Sequence, residues 1–438
     1  MSQSHYSLAA LFLALGCGGA QPLPAAPVAP AAPGTITPAT GTAALPVPAP
    51  AAAAPAPAAL TQGINVALKN ALPAPRSAET VSIHLADALK ILPALKVANL
   101  IVQDTTGGAV LSQLVDSDGD GKPDELVFQA DFQPNENKSF VMGEGTRSTP
   151  THDQYKVYGR FVRERHDDFA WENDRIAHRM YGPALETWAA DPLTSSGIDV
   201  WVKRTPHLVV NDWYQSDDYH RDNGDGGDFY SVGPSRGCGG IGVWDGKQLH
   251  ASHNFTNTRV LANGPIRLIF ELSYGPWDIG GGAKIAETKR VIADAGQHFD
   301  RFESSFKITG KPRGASLAIG IAKHKDGVFE SDQPAGILRS WEPYADNNGH
   351  LGCAVINAAG PATGFAETAT DRLLLAPLPE NSPAVYLAGT GWDKSGHLTD
   401  NAAWAAMVSS AASNARSPIA VSLSAKAAAV AAPSAAKP

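Results

Sequence analysis

The sequence predicts a mainly β protein, in which a small N-terminal β-sandwich precedes a large antiparallel β-sandwich. Three observations lead to this prediction. Short alternating or apolar segments, such as 81–85 and 266–272, recur with Gly- and Asp-rich breaks between them. The 42 glycines suit a fold with many turns. Strand and helix patterns do not alternate regularly, which argues against a parallel α/β fold.

The two ends of the chain have compositions that do not predict a folded domain. Residues 1–20 contain an apolar run that is too short to span a bilayer and fits an export signal. The residues before Cys17 are similar to a bacterial lipoprotein cleavage box, so Cys17 would carry a lipid anchored in the outer membrane. Residues 21–60 predict an Ala/Pro-rich linker, and residues 426–438 a disordered tail. We therefore expect an exported protein that is periplasmic, outer-membrane-anchored or extracellular.

The chain between these ends divides into two predicted domains. Residues 61–142 hold short strand patterns and an Asp-rich turn, which together predict the small sandwich. Residues 143–425 are numerous enough for the large sandwich and contain the segments richest in chemically active side chains. Within the second domain, local patterns predict a helix over residues 174–188 and a strand over residues 207–213.

Charge and cysteine content limit the functions to consider. The net charge of −8 argues against a nucleic-acid-binding protein, which would normally show a basic face. A weakly acidic chain still binds an acidic sugar if Arg and Lys are concentrated at the site. The cysteines other than Cys17 are Cys238 and Cys353, which could pair in an oxidising compartment or remain two separate buried thiols.

Residues 116–124 form a candidate metal loop. Asp116, Asp118, Asp120 and Asp124 have the spacing of the first, third, fifth and ninth positions of a calcium loop, with glycine at the sixth position for the sharp turn. Position twelve is valine instead of glutamate, and no helical pattern flanks the loop, so it is not an EF-hand. We expect either a structural calcium or a hairpin turn held by side-chain-to-backbone hydrogen bonds, and no organic cofactor.

Residues 163–175 interleave many charges with two aromatic side chains. A sugar-binding site needs this mixture, because an aromatic face stacks on a pyranose ring while charged groups fix its hydroxyls. The candidates in this stretch are Trp171, Glu172, Asp174 and Arg175. An ion-paired structural corner is the alternative.

Residues 217–240 form the second dense stretch, which is too polar and Gly-rich for a core. It contains Tyr219, His220, Tyr230 and Arg236. Histidine and tyrosine exchange protons, and arginine pairs with a carboxylate through two hydrogen bonds. Long loops with such side chains are common functional sites on a β-scaffold. The alternative is a solvated loop.

Several segments resemble the bacterial secreted family known as domain of unknown function 4861. The matching segments are 171–175 through 181–183, 196–201, 219–230, 237–240 and 264–267. The resemblance covers about residues 67–389 and implies a large sandwich of galactose-mutarotase-like type. Members occur beside enzymes that degrade pectin, ulvan and other uronic-acid polysaccharides. The resemblance therefore implies action on uronate-containing oligosaccharides, through elimination of water or of a glycosidic bond.

Elimination next to a uronate carboxylate assigns a role to each candidate. The charge of that carboxylate must be neutralised before the neighbouring proton can leave, and Arg236 or Arg175 would do this. His220 and Tyr230 are the predicted base and acid, and Tyr219 could replace either. This mechanism requires residues 163–175 and 217–240 to meet in space.

The remaining candidates would bind the sugar. Trp171 would stack on a ring, and Glu172, Asp174 or Asp228 would hold hydroxyl groups. A glycoside hydrolase is the rival assignment, with Glu172 and Asp228 as its two carboxylates. A non-catalytic glycan-binding protein would depend on Trp171, and a purely structural surface protein is the last alternative. The expected partner is an acidic oligosaccharide or polysaccharide.

Overall fold

The computed structural model describes residues 60, 62–312 and 314–426. The predicted export signal, Cys17 and nearly all of the predicted linker and tail lie outside these residues. The helices are α1 (Leu85–Ile91), α2 (Val210–Ser216) and α3 (Asn401–Arg416), and short 3-10 segments span Val97–Asn99, His152–Gln154, Arg163–Arg165 and Pro183–Thr187. The strands are β1 (Ile64–Lys69), β2 (Arg76–His84), β3 (Leu100–Gln103), β4 (Ala109–Val110), β5 (Ser112–Val115), β6 (Glu125–Phe132), β7 (Asn137–Glu144), β8 (Val157–Val162), β9 (Asp168–Asn173), β10 (Ile176–Met180), β11 (Asp199–Lys203), β12 (Gly226–Gly227), β13 (Cys238–Trp244), β14 (Leu249–His250), β15 (Asn257–Asn263), β16 (Arg267–Asp278), β17 (Lys284–Asp294), β18 (Phe299–Thr309), β19 (Ser316–Ala322), β20 (Val328–Asp332), β21 (Ile337–Pro343), β22 (His350–Asn357), β23 (Gly364–Glu367), β24 (Asp371–Pro377), β25 (Ala384–Trp392) and β26 (Ala420–Ala425).

Two small sheets form the N-terminal sandwich. One has the strand order β26-β1-β7-β3-β4, and the other has the order β2-β6-β5. The alternation of β1 buries Ile64, Val66 and Leu68 in the core between them. Strand β26, at the far end of the described chain, pairs with β1. Residues 420–425, which the sequence analysis placed in the large domain, therefore complete the small sheet.

The large sandwich packs an eight-stranded sheet, β15-β16-β17-β18-β25-β22-β21-β20, with a five-stranded sheet, β14-β13-β19-β24-β23. Alternating side chains of the long strands, such as Leu272, Val291 and Phe302, meet residues of the smaller sheet, such as Ile319 and Leu374, in one core. The ladders between the described strands are antiparallel. The predicted mainly β class with antiparallel sheets is therefore confirmed.

In a third sheet, β12-β11-β10-β9-β8, every residue of β9, β10 and β11 is buried, so both faces are covered at its centre. One face, with Phe169 and Met180, joins the core of the large sandwich. On the other face Trp201 packs with Trp213 and Tyr214 of α2 in a second cluster. Charged residues also lie in these strands, and they form the site described below.

Two local predictions in this region are wrong. Residues 174–188 contain β10 and a 3-10 segment instead of a helix, because β10 is paired on both sides and all five of its residues are buried. Residues 207–213 were predicted to form a strand, but residues 210–213 belong to helix α2. The Glu172 carboxylate accepts the Val209 and Val210 N–H groups at the start of α2, at 2.8 and 2.7 Å. This cap comes from 37 residues away in sequence, so no local pattern could reveal it.

Helix α3 covers part of the eight-stranded sheet. Its buried Trp404, Val408 and Ala412 form a cluster with Ile337 and Ile356 of β21 and β22. The Asp400 side chain accepts the Ala403 N–H and caps the helix start. Within the described ranges, no helix is both long and apolar enough to cross a membrane.

Candidate active site

A cavity of about 600 Å³ opens where the two predicted polar stretches meet. Residues 163–175 and 217–240 both line it, and Arg165 Nη1 lies 3.3 Å from Asp217 Oδ1 across the junction. The meeting that the predicted mechanism requires is therefore present in the fold. The lining residues are Arg165, His166, Asp168, Arg179, Tyr181, Leu185, Trp188, Asp191, Leu193, Asp199, His220, Asp228, Phe229, Tyr230, Ser231, Val232 and Gly233.

A larger cavity of about 920 Å³ lies in the small sandwich. Its lining is mostly apolar or neutral, and its charged side chains are Glu144 and Arg147. Glu144 accepts the Lys96 N–H, while Arg147 donates to the backbone oxygens of Leu100 and Ser112. Both charged groups thus hold the backbone, so we place the candidate active site in the smaller cavity, where acidic and basic groups converge.

The floor of the active-site cavity is a buried cluster of three aspartates around Arg179. Arg179 Nε and Nη2 donate to Asp199 Oδ2 at 2.9 and 2.5 Å, and Nη2 also donates to Asp228 Oδ2 at 3.2 Å. Asp168 Oδ2 lies 3.9 Å from Arg179 Nε. Strand pairing sets this geometry, because Arg179 of β10 lies directly opposite Asp199 of β11 and opposite Ala170 of β9. One guanidinium therefore faces three buried carboxylates.

Burial, together with the excess of carboxylates over cations, favours bound protons in this cluster. Burial raises the pKa of Asp168 to about 7; Arg179 opposes the rise and Asp199 adds to it. Burial, followed by the charge of Asp199, also raises the pKa of Asp228 well above its usual range. Asp168 Oδ1 is enclosed and makes no hydrogen bond. At neutral pH this floor can therefore act as a proton donor.

His220 lies above Asp228 at the edge of the cavity. Its Nδ1 lies 3.5 Å from Asp228 Oδ2 and 3.4 Å from the Asp228 backbone oxygen. The imidazole packs on Tyr219, which packs on Trp201. The His220 side chain is 65% exposed, whereas the Asp228 side chain is 3% exposed. An accessible imidazole thus contacts a buried carboxylate, an arrangement suited to a general base.

A constrained turn forms the opposite rim. His166 and Asp167 both have left-handed backbones, with φ of 57° and 66°, which is uncommon for residues other than glycine. Gly182 packs against this turn so closely that a Cβ atom there would lie 1.8 Å from the Asp167 carbonyl oxygen. The turn holds the His166 ring stacked on Trp188, with centroids 4.3 Å apart. These two rings give the rim a flat surface that a sugar ring could contact.

Two predicted sugar-binding residues lie in the core. Trp171 has no exposed surface, and its Nε1 donates to Asp300 Oδ2 at 2.7 Å. Glu172 is also fully buried, 2.6 Å from Lys203 Nζ, and caps α2 as described above. The cause is the burial of every residue of β9 between two clusters. Neither side chain is placed to contact a sugar.

Of four further predicted residues, Tyr230 lines the cavity and the other three lie outside its lining. Asp174 and Arg175 follow the far end of β9, where Asp174 accepts the Gly296 N–H and Arg175 contacts His397. The Tyr230 ring reaches the cavity wall, but burial and the neighbouring thiols of Cys353 and Cys238 raise its pKa well above the usual range. The fourth, Arg236, lines a different cavity.

Of the predicted site residues, His220, Asp228 and Tyr230 line the cavity, and Tyr219 packs against the His220 ring. Asp168, Arg179 and Asp199 also line the cavity, and none of them was predicted as a site residue. The available signal was the presence of charged residues inside strands whose other residues are largely apolar. Buried charges must be compensated, so such charges often mark a site.

The Asp-rich loop forms a compact turn. The carboxylates of Asp116, Asp118 and Asp120 include oxygens that lie within 4.8 Å of one another, so they could hold a cation. Asp124 is not in this group; its Oδ2 accepts the Ser117 N–H at 2.7 Å and the Ser117 hydroxyl at 2.8 Å. The predicted side-chain-to-backbone hydrogen bonds are thus present, and calcium binding remains a prediction.

The cysteines of the large sandwich are two buried free thiols, on β13 and β22. Cys238 Sγ donates to the Gly389 carbonyl oxygen at 3.4 Å. Burial and a hydrogen bond with Cys238 raise the pKa of Cys353 well above its usual range. The structure thus contains neighbouring thiols instead of the disulfide that the sequence left open.

The family described as "Domain of unknown function (DUF4861)" matches residues 68–421, which include the whole cavity. The chain belongs to this family. This DUF4861 protein is 33% identical, over 375 residues, to "Uncharacterized protein P7" of Formosa agariphila, and the match covers 82% of this chain and 93% of P7.

Two solved structures from Enterococcus faecalis, each 10% identical to this chain, also match. The first is a protein in glycosyl hydrolase family 38, with a TM-score of 0.49, and the match covers 83% of this chain and 47% of that one. The second is an α-mannosidase, with a TM-score of 0.45, and the match covers 84% of this chain and 46% of that one. The chain thus spans about half the length of either solved structure.

Proposed function

We propose that this protein is a carbohydrate-active enzyme that eliminates water or a sugar from uronic-acid-containing oligosaccharides. One observation carries the proposal: the exposed His220 lies 3.5 Å from the buried carboxylate of Asp228, in a cavity that also holds Asp168. A base and a proton donor in one cavity are what elimination requires.

The rim of the cavity supplies groups that suit an acidic sugar. Arg165 lies at the edge, and its partner Asp217 has a 72% exposed side chain, so this ion pair is weak and can be replaced by a substrate carboxylate. The stacked rings of His166 and Trp188 offer an apolar face to the sugar ring. Arg165 thus takes the charge-neutralising role that the sequence analysis gave to Arg236 or Arg175.

The proposed reaction moves two protons. His220 removes the proton from the carbon that carries the carboxylate, while Arg165 stabilises the negative charge that develops. The C–O bond on the adjacent carbon breaks and a C=C bond forms between the two carbons. The acid form of Asp168 donates a proton to the leaving oxygen, which departs as water or as the hydroxyl of a shorter sugar chain. Asp168 replaces Tyr230 as the proposed acid.

Glycoside hydrolysis is the second candidate function. It requires one protonated and one ionised carboxylate on either side of a glycosidic bond. The raised pKa of Asp168 supports the protonated member of such a pair, and Asp228 lies in the same cavity. The pair predicted from sequence used Glu172, which is instead held by Lys203.

Product analysis separates the two reactions. The protein is incubated with saturated and lyase-generated uronic-acid oligosaccharides, and products are followed by mass spectrometry and ultraviolet absorbance. We expect loss of one water, or cleavage with a new absorbing double bond, and we expect His220→Ala to abolish this while His207→Ala, at an exposed histidine outside the cavity, does not. Cleavage with gain of water and no double bond would refute elimination and support the hydrolase.

We also propose that the chain is exported and carries a lipid on Cys17. The apolar run of residues 8–16 and the Ala/Pro-rich segment that follows support this. In a bacterial host, labelled palmitate should enter the full chain and leave the Cys17→Ala variant unlabelled. Equal labelling of both chains would contradict lipidation at this residue.

A further inference from the structure

Besides the candidate active site, the large sandwich has a second cavity, of about 370 Å³. The two cavities share one loop, residues 229–236, because residues up to Gly233 line the first and Pro234 and Arg236 line the second. The second lining consists of Pro234, Arg236, Trp244, Lys247, Gln248, Leu249, Ala251, Glu367, Thr368, Thr370 and Asp371.

Arg236 is the buried cation of this second cavity, since only 4% of its surface is exposed. Its Nη1 donates to Ser196 Oγ at 2.7 Å, and its Nη2 donates to the Pro234 backbone oxygen at 3.2 Å. Its Nε is enclosed and makes no hydrogen bond. A guanidinium has five N–H donors, and these two bonds use only two of them.

The acidic residues of this cavity form no ion pair with the Arg236 guanidinium; burial lowers the pKa of Arg236, and the charge of Asp371 opposes this from a longer distance. Asp371 accepts the backbone N–H of Arg236 and the hydroxyls of Thr368 and Thr370. Glu367 pairs with Lys323 and Arg372. No carboxylate among the described residues lies within 4.0 Å of the Arg236 guanidinium. A buried cation without an ion pair is costly, and a bound anion would compensate it.

The residues around Arg236 leave space for its side chain and add apolar and positively charged groups to the cavity. Gly320 of β19 makes room for it, because a Cβ atom at that position would lie 2.5 Å from Arg236 Cβ. At the cavity edge, the half-buried Trp244 and Leu249 provide apolar contact, and the exposed Lys247 adds a second positive charge. This combination suits a sugar ring that carries an acidic group.

We propose that this cavity is a second subsite, which binds the carboxylate of a further uronic-acid unit of the same oligosaccharide through Arg236. The ligand class rests on the proposed function, whereas the anion-binding role rests on the geometry of Arg236. The shared loop places the two sites side by side, so that one chain of sugars can occupy both. Arg236 would thus select acidic oligosaccharides over neutral ones.

Calorimetric titration tests this in the His220→Ala background, which keeps the saccharide intact. The probes are a galacturonic-acid trisaccharide, the matching neutral galactose trisaccharide and a sulfated galactose trisaccharide. We expect Arg236→Gln to weaken binding of the carboxylated probe by about 10- to 100-fold, the usual cost of losing a charged hydrogen-bond partner, and to leave the neutral probe unchanged. Equal affinity with and without Arg236, or a preference for the sulfated probe, would overturn the proposal.

Lys247→Ala and Trp244→Ala provide a second test if Arg236→Gln does not fold, since both positions lie at the cavity edge. Each should weaken the carboxylated probe severalfold, and unchanged affinity in both would overturn the proposal. The two proposals fail separately. Binding that depends on Arg236, without turnover by the unmodified protein, refutes the enzyme alone. Turnover whose kcat/KM is unaffected by Arg236→Gln refutes the subsite alone.

Discussion

Replacing Asp168 by asparagine should make the protein more stable at alkaline pH and remove its activity. The pKa of Asp168 is about 7 in the folded chain, against an ordinary value of 3.8. Between these two pH values the folded state holds a proton that the unfolded state has lost, so stability falls as pH rises and then levels off above 7. Asparagine does not titrate, so the variant lacks this fall.

The size of the effect follows from the two pKa values. The stability lost through this difference in pKa is ~2 kcal/mol at pH 5 and approaches ~4 kcal/mol at pH 8. The stability of Asp168→Asn relative to the unmodified protein should therefore rise by about 2 to 3 kcal/mol between pH 5 and pH 8. Using the difference between the two proteins removes most of the pH dependence that other groups contribute.

Urea unfolding at both pH values, followed by tryptophan fluorescence, measures this difference. Asp191→Asn is the matched control, because Asp191 lines the same cavity but is exposed and lies outside the Arg179 cluster. Its stability difference from the unmodified protein should be the same at pH 5 and pH 8. An Asp168→Asn difference that stays constant, or shrinks, with rising pH would refute the assignment of a protonated Asp168.

Three other predictions concern Arg179, His324 and the Asp-rich loop. Arg179→Met should destabilise the fold by about 3–5 kcal/mol in urea unfolding, because it leaves buried carboxylates without their cation, and a loss below ~1 kcal/mol would contradict this. His324 Nδ1 lies 2.9 Å from a Glu342 carboxylate oxygen, and its Nε2 lies 2.6 Å from the Ser231 carbonyl oxygen. Burial lowers the pKa of His324, but the hydrogen bond and charge of Glu342 outweigh burial, so the pKa is raised. His324→Gln should therefore speed hydrogen exchange of residues 229–233 at pH 6, and the difference should shrink as pH rises through the raised pKa; equal exchange at pH 6 would contradict this. If the Asp-rich loop binds calcium, added calcium should raise the Tm of the metal-stripped chain but not that of Asp118→Asn, and no rise in the unmodified chain would refute calcium binding.

The fold class could be predicted because it depends on local pattern. The alternation over residues 81–85 predicts a strand with one buried face, and the apolar run over 266–272 predicts a buried strand; the structure has β2 and β16 there. The two errors over 174–188 and 207–213 have a common origin in long-range contacts. Strand β10 is fixed by partners on both sides, and α2 is capped by a carboxylate from another strand. The segments 174–188 and 207–213 do not themselves contain these partners, so their local patterns could not predict the structure.

The site residues in the loops could be predicted from the sequence, whereas the charged cluster on the cavity floor could not. His220 and Asp228 come from a stretch whose composition alone indicates a site, and they lie eight residues apart. The contacts of Arg179 with Asp199 and Asp228 join residues 20 and 49 positions apart, and they depend on strand register. Trp171 was wrongly predicted as a sugar-binding residue. Its position among charged residues suggested an exposed side chain, but every residue of its strand is buried.

The central claim is that His220 removes a proton from the carbon that carries a substrate carboxylate. Its most direct test uses a uronic-acid oligosaccharide with deuterium at that carbon, compared with the unlabelled compound by mass spectrometry and rate. Elimination predicts that turnover of the labelled compound is slower and that the product has lost the deuterium. Equal rates with the deuterium retained in the product would contradict proton removal and, with it, this account of the cavity.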